Sequence, residues 1–531
     1  MPPKPLRFFI IFIVIISIFF RFTNLNTKVY WYDEVSTSLT VAGYTEAEIV
    51  QSLNKNELFA PQAIQKYQRV NPEKTIADTV IRLIEENPHH PPFYYVLNRI
   101  WSNIFGTSIS AMRSLAACIS LLAFPCIYWL CLELFKSSIV GWTAIALIAV
   151  SPLHLIYAQE ARQYSLLIVL VLFSSAIFMR AVRVKTLFSW AVYGTAITLG
   201  LYTQLFFGLV AIGHGLYLLL SKGLRFSKTV QSYLVTLLTS FVMFIPWVIV
   251  LINQYSQAHR LTNWVRLYEI TNKELVQKWV HNLSLTFFDI GQAEYSKSFL
   301  FLYVLLIGLV IYSIFFLCRN TNKHSWLFIL ILMGITTFPF VLADLFSEGQ
   351  RSITSRYFIP CYLGIQLTIA YFISNRLNTN YVKSWQQKYW HLAIVILISL
   401  GVVSSTIYSQ ADNWWNKFIN KENIPVSQIV NQAPKPLLVS NTPTNIVLSL
   451  SYMLEPKVRL QVVPLCGNCT LNLQANEQLD IPQISHDFSD IFLLKIYPSE
   501  SWKNALEAQQ KYKVELVFQG NDLWLWSLEE R

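Results

Sequence analysis

The sequence predicts a polytopic α-helical membrane protein of about eleven transmembrane helices, followed by a small C-terminal α/β domain outside the cytoplasm. Three observations lead there. Of 531 residues, 54% are hydrophobic and only 13% charged, with a mean hydropathy of +0.41, which is more apolar surface than a compact soluble core could bury. The apolar residues gather in runs long enough to cross a bilayer. From about Ser409 the composition turns soluble, and strand-like and helix-like segments alternate.

Lys4 and Arg7 precede an apolar segment from Phe8 to Phe20 with no small-residue cleavage site after it, so it reads as an uncleaved first span near 7–22. Further spans are expected near 111–135, 139–157, 164–180, 187–203, 205–220, 230–252, 298–317, 325–343, 357–374 and 390–408. With the N-terminus in the cytoplasm, the inner segments carry 14 lysines and arginines. The short outer loops carry three, Arg162, Arg351 and Arg356. That asymmetry is the bias of cytoplasmic loops, and it sets the N-terminus in and the C-terminal domain out. The formal net charge of +11 arises from these small clusters, so it argues for membrane topology and against nucleic acid as a partner.

Residues 1–408 then form the membrane domain and 409–531 the extracytoplasmic domain. Within the first, the outer loop 23–110 is too long for a simple connection and implies structure of its own. Thr45 and Glu48 make a capping-box pattern, and Ile76, Val80, Leu83 and Ile84 share one helical face. Val96–Phe105 is too short to span and reads as a juxtamembrane helix. A second outer loop covers 253–297, with a tryptophan-containing body from His259 to Trp279. In the C-terminal domain, strands are expected at Leu437–Ser440, Val458–Val463, Ile491–Lys495, Val514–Phe518 and Leu523–Ser527, with helices at Thr444–Leu454 and Ser501–Tyr512.

Five of the seven cysteines, Cys118, Cys126, Cys131, Cys318 and Cys361, lie in apolar runs and read as packing residues. Cys466 and Cys469 fall in a polar stretch with no second Cys/His pair, which favours a disulfide over a metal site.

Candidate chemistry begins with Asp33 and Glu34, set among aromatics just beyond the first span. Being neighbours, they point in different directions from a helix or strand, so only one of them would meet a reacting atom. A carboxylate at the lipid–water boundary suits general-base removal of a proton from an acceptor hydroxyl. A solvated acidic pair capping a helix is the competing reading. The tight turn Tyr157–Tyr164 places Glu160 and Arg162 at the outer face. There Arg162 either grips a phosphate or pairs with Glu160. Arg113, near the outer start of the second span, needs a polar partner or else snorkels to headgroups. Arg351, with Arg356 and Tyr357, forms a second outer basic cluster suited to phosphate. His89 and His90 are adjacent and, with Asp33 and Glu34, would offer ligands to a divalent metal, although no ligand spacing supports one.

The order of these motifs resembles a known family. An aromatic-Tyr32-Asp33-Glu34 after the first span, His90-Pro91-Pro92-Phe93-Tyr94-Tyr95, Met112-Arg113 and Gln159-Glu160-Ala161-Arg162-Gln163-Tyr164 look like the protein O-mannosyltransferase and aminoarabinose-transferase superfamily. These are family 39 membrane glycosyltransferases of the GT-C fold. The resemblance implies transfer of a sugar from a polyprenyl-phosphate donor, on the outer side of a bacterial inner membrane, to a lipid, polysaccharide or protein acceptor. It implies Asp33 as catalytic carboxylate with Glu34 in support, Arg113 as the family's arginine at the second span, and Glu160 or Arg162 near the donor phosphate or acceptor; Tyr164, Arg356, Tyr357 and His90 complete the substrate-binding candidates. Some relatives carry an aspartate in the second turn, where this chain has Gln159-Glu160. A transporter or flippase of lipid-linked sugars is the alternative; it would place charge near the bilayer midplane, whereas these residues lie at the outer ends of spans.

Overall fold

The computed structural model describes residues 4–53, 56–223, 227–266, 270–292, 294–347, 349–377, 384–463, 483–485, 487–496, 501–508 and 510–531. The expected Cys466–Cys469 disulfide lies outside them. Cys118, Cys126, Cys131, Cys318 and Cys361 are free. The chain divides into two compact units. One comprises residues 1–25, 87–94 and 113–410; the other comprises 26–86, 95–112 and 411–531.

The first unit is helical. Seven helical stretches among the described residues are long and apolar enough to cross a membrane: Ile109–Phe135, Tyr164–Val184, Lys228–Asn253, Lys297–Asn320, Lys323–Ser347, Ser355–Leu377 and Lys388–Asn420, the last of which is α-helical as far as Gln410. An eighth span arises if Ser138–Val150 and Pro152–Ala158, bent by 64° at their junction, are taken together. The bend has a local cause, because proline disfavours helical backbone in the residue before it, and Ser151 is extended at φ −66°, ψ 121°. The sequence-based count of eleven is therefore not reached by length and composition. Leu187–Leu201 has 15 residues and Phe207–Lys222 has 16, which is about 22–24 Å of helix against a hydrocarbon core of about 30 Å. Lys4–Phe22 is a helix of 19 residues that carries Lys4, Arg7 and Arg21 and is not among the seven.

Hydrogen bonds hold residues 87–94 within this unit. The Phe93 N–H donates to the Tyr202 carbonyl at 3.0 Å, and the Trp247 indole N–H donates to the Pro88 carbonyl at 3.1 Å. Gln159 does the same for the end of the first helix, since its amide donates to the carbonyls of Phe20 and Thr23 at 2.7 and 2.8 Å.

The second unit is built on a five-stranded sheet of β1 (Pro436–Ser440), β2 (Arg459–Val462), β3 (Asp490–Ile496), β4 (Tyr512–Gln519) and β5 (Leu523–Glu530), in the order β2-β1-β3-β5-β4. β1 pairs in parallel with β2 and β3, while β5 pairs antiparallel with β3 and β4. Alternate residues face opposite sides. Leu437, Val439, Ile491, Leu493, Trp526 and Leu528 pack on one face with Trp502 and Leu506. Leu438, Leu460, Phe492, Leu494, Leu523 and Leu525 enter the other core, which also holds Tyr30, Val35, Leu39, Ile49, Ile64 and Tyr67 from the loop after the first helix. Phe59 and Leu460 form an antiparallel bridge. Residues 26–86, grouped with the spans by sequence order, thus share a hydrophobic core with the C-terminal sheet. The capping box at Thr45 and Glu48 is present, and helices occupy Ile76–Glu86 and Phe93–Phe105.

One helix in this shared core, Tyr32–Ala42, carries Asp33 and Glu34 in its first turn. Its far end is closed by Gly43 in the left-handed conformation, φ 83°, and by Arg99. The buried Arg99 guanidinium donates to the carbonyls of Val41 and Ala42 at 2.6 and 3.2 Å, and also reaches those of Asn71 and Lys74. The Val41 and Ala42 oxygens lack a helical partner. Replacing Arg99 by methionine keeps the length of the side chain and removes its donors. We expect Arg99→Met to lower stability by about 2–4 kcal/mol, read as a lower thermal unfolding midpoint of the purified protein in detergent.

Candidate active site

Asp33 and Glu34 have different environments because successive helical side chains point about 100° apart. Glu34 points inward and is fully buried, and its Oε2 accepts from the Lys417 Nζ at 2.6 Å; neither side chain is exposed to solvent. The Lys417 ammonium also lies 5.7 Å from the Trp31 ring centroid. Asp33 is only partly buried. Both carboxylates sit at the positive end of the helix dipole, where negative charge is favoured. Trp31 offers no side-chain cap there; instead the Tyr32 N–H donates to Asn420 Oδ1 at 2.6 Å. The Tyr32 phenol is pushed up to about 12 by burial, and then by the charges of Glu46 and Asp33, so it stays protonated beside Asp33.

In the first unit, the turn between Pro152–Ala158 and Tyr164–Val184 is buried along its length. Glu160 is 2%, Arg162 3% and Tyr164 3% exposed, although this is a polar turn of the kind that usually faces water. The Glu160 carbonyl accepts from the Arg162 N–H at 2.6 Å, and an Arg162 guanidinium nitrogen donates to His90 Nε2 at 3.1 Å. The Arg162 and Arg356 guanidiniums stand 6.0 and 5.9 Å from the Tyr164 ring centroid. Arg356 also stands 5.6 Å from the rings of Trp264 and Tyr357. Tyr357 in turn packs on Phe206 and Phe340, with centroids 5.0 and 5.4 Å away. Arg356 and Tyr357 line a narrow crevice of about 10 Å³ with Gln204, Phe206, Phe207 and Pro360. A cation beside apolar side chains suits a ligand with an anionic head and a hydrocarbon body.

The structure thus brings His90, Arg162, Tyr164, Arg356 and Tyr357 into one aromatic and cationic cluster. Arg113, only 1% exposed, donates to the Leu25 carbonyl at 2.6 Å, so of its two expected states it takes the buried, partnered one. Arg351 pairs with the buried Asp344 at 2.8 Å, which assigns it to holding its own loop. His89 and His90 stack with ring centroids 4.1 Å apart. Among the described residues no three His, Cys, Asp or Glu side chains group as a metal site would. Lys417, Asn420 and Trp264 were not foreseen, because each is a lone residue with no spacing to a partner many positions away.

His90 also has a pH signature. Burial, then the charges of His89, Arg162 and Arg356, hold its pKa well below the ordinary 6.5, and an acceptor Nε2 requires the neutral ring. An unfolded histidine takes up a proton below about pH 6.5 while this one does not. Its contribution is therefore complete above that pH and is lost as the pH falls through it. Between about pH 7.5 and pH 5.5, the unfolding midpoint of the protein should fall more steeply than that of His90→Asn.

Comparison with known proteins bears on the fold. The family model described as dolichyl-phosphate-mannose-protein mannosyltransferase matches residues 89–250, the stretch that holds His90, Arg113, Glu160, Arg162 and Tyr164. No curated protein matches. Among solved structures, ArnT from Cupriavidus metallidurans bound to undecaprenyl phosphate superposes with a TM-score of 0.54 at 11% identity, over 98% of each chain. The same protein in the apo state gives 0.52 at 10% identity, again over 98% of each chain. At that identity the likeness speaks for architecture, and the chain has the GT-C type fold of those membrane proteins.

Proposed function

We propose that this protein is an integral membrane glycosyltransferase. It moves a sugar from a polyprenyl-phosphate donor to an acceptor hydroxyl on the extracytoplasmic side of a bacterial inner membrane. The mannosyltransferase family match over residues 89–250 and the fold shared with a protein crystallised with undecaprenyl phosphate support the reaction class. The observation that carries the assignment of the base is the split of the acidic pair: Glu34 is committed to Lys417, and Asp33 is the more accessible carboxylate.

The chemistry follows from these residues. Asp33 takes the proton of the acceptor hydroxyl as its oxygen attacks the anomeric carbon of the sugar. The bond from that carbon to the phosphate oxygen breaks, and the lipid phosphate leaves with the electron pair. The charge on the leaving phosphate is held by Arg356 and Arg162, whose guanidiniums present forked donors suited to phosphate oxygens. The apolar wall of Phe206, Phe207 and Pro360 beside Arg356 takes the first isoprene units. The bidentate fork also explains a preference for arginine over lysine here.

The test is release of undecaprenyl phosphate by purified protein from a panel of undecaprenyl-phosphate-linked sugars: mannose, glucose, arabinose and 4-aminoarabinose. We expect Asp33→Asn to lose turnover about 100-fold or more while inserting and unfolding like the parent. Near-normal release by Asp33→Asn would remove the base assignment. Arg356→Ala should raise the KM for the donor about tenfold or more, and a donor dependence unchanged in both Arg356→Ala and Arg162→Ala would remove the phosphate site.

A further inference from the structure

The turn Trp415–Asn420 meets the first turn of the Tyr32–Ala42 helix at two points. Asn420 Oδ1 caps the first helical N–H at Tyr32, and Lys417 neutralises Glu34. Lys417 departs from helical backbone, at φ −109°, ψ 31°, and its N–H donates to the Trp414 carbonyl at 2.9 Å. Its side chain thus enters the core from a kinked turn that is itself hydrogen-bonded.

The same core holds Tyr30, Val35 and Leu39, so apolar side chains would serve where Glu34 and Lys417 stand. Replacing a buried ion pair by apolar residues of like volume is commonly neutral or stabilising. Stability alone is therefore a weak reason for two charges at no exposure. What the pair supplies, and a greasy contact does not, is direction: an ion pair closed at 2.6 Å fixes the rotation of the helix about its axis. Asp33 is the adjacent residue, so that rotation sets where its carboxylate points.

We infer that Glu34, Lys417 and Asn420 are positioning residues which orient Asp33 for proton abstraction. Lys417 and Asn420 act through the helix terminus, and Glu34 acts as the receiving group. The inference rests on Asp33 being the base proposed above. Misplacing a catalytic group by about 1 Å costs on the order of 100-fold in rate, so loosening either tether should appear in kcat and leave donor KM unchanged.

Four variants decide it, assayed by undecaprenyl phosphate release from whichever panel donor the parent turns over fastest. Asn420→Ala removes the cap without stranding a charge and should lower kcat about tenfold, with the donor KM within about twofold. Asn420→Asp keeps the accepting oxygen and should restore kcat. The double variant Glu34→Gln with Lys417→Met removes both charges together; it should unfold near the parent temperature and still lose kcat about tenfold or more. Asp33→Asn, run beside them, separates the two claims. If it is inactive while Asn420→Ala and the double variant turn over at the parent rate, or change only KM, the positioning role is overturned and the base stands. If Asp33→Asn is itself active, the base assignment fails and the positioning inference falls with it. Should the double variant fail to fold, Asn420→Ala and Asn420→Asp suffice to separate these outcomes.

Discussion

Buried cations need oxygen, and this chain is arranged around meeting that need. A guanidinium or ammonium taken out of water costs several kcal/mol unless paired and hydrogen-bonded. Arg21, 1% exposed, is held by the Ser120 hydroxyl and the Ala149 carbonyl. Arg113 is held by the Leu25 carbonyl, Arg99 by carbonyls at the end of the acidic helix, and Lys417 by Glu34. Each joins segments far apart in the chain, at places where apolar packing alone would leave their register open.

In the cationic cluster aromatic rings surround the guanidiniums as well. Arg162 and Arg356 face aromatic rings, with His90 as a neutral acceptor for one of them. Rings attract a cation weakly compared with a carboxylate, and elsewhere carboxylates do the holding, with Arg351 tied to Asp344 and Arg183 bound through two contacts to Glu133.

Much of the architecture was legible in the sequence because it is written in local pattern. Apolar runs marked the helices, the Thr45/Glu48 spacing marked a capped helix, and alternation of strand-like and helix-like segments marked the C-terminal sheet, whereas the bend before Pro152 fell within a run read as one span. In the 187–222 region two apolar runs give helices of 15 and 16 residues, so the count of eleven is not reached there by length. That Asp33 and Glu34 face different ways followed from adjacency, but which of them was buried did not. That depends on Lys417, 383 positions away, a single lysine without periodicity. Nor could the core shared by Val35, Leu39 and the sheet be read, since each partner looked like an ordinary amphipathic segment alone.

That shared core has a consequence for biosynthesis. Residues 26–86 leave the ribosome early, whereas β1 to β5 come from the last stretch of the chain. At roughly 5–20 residues per second, the early segment waits on the order of tens of seconds for the strands that will cover Val35 and Leu39. During that interval its apolar faces are open, and Glu34 has not met its lysine. The nascent protein is therefore exposed to aggregation and proteolysis through an early loop, and Glu34 stays without Lys417 until the chain has been made that far.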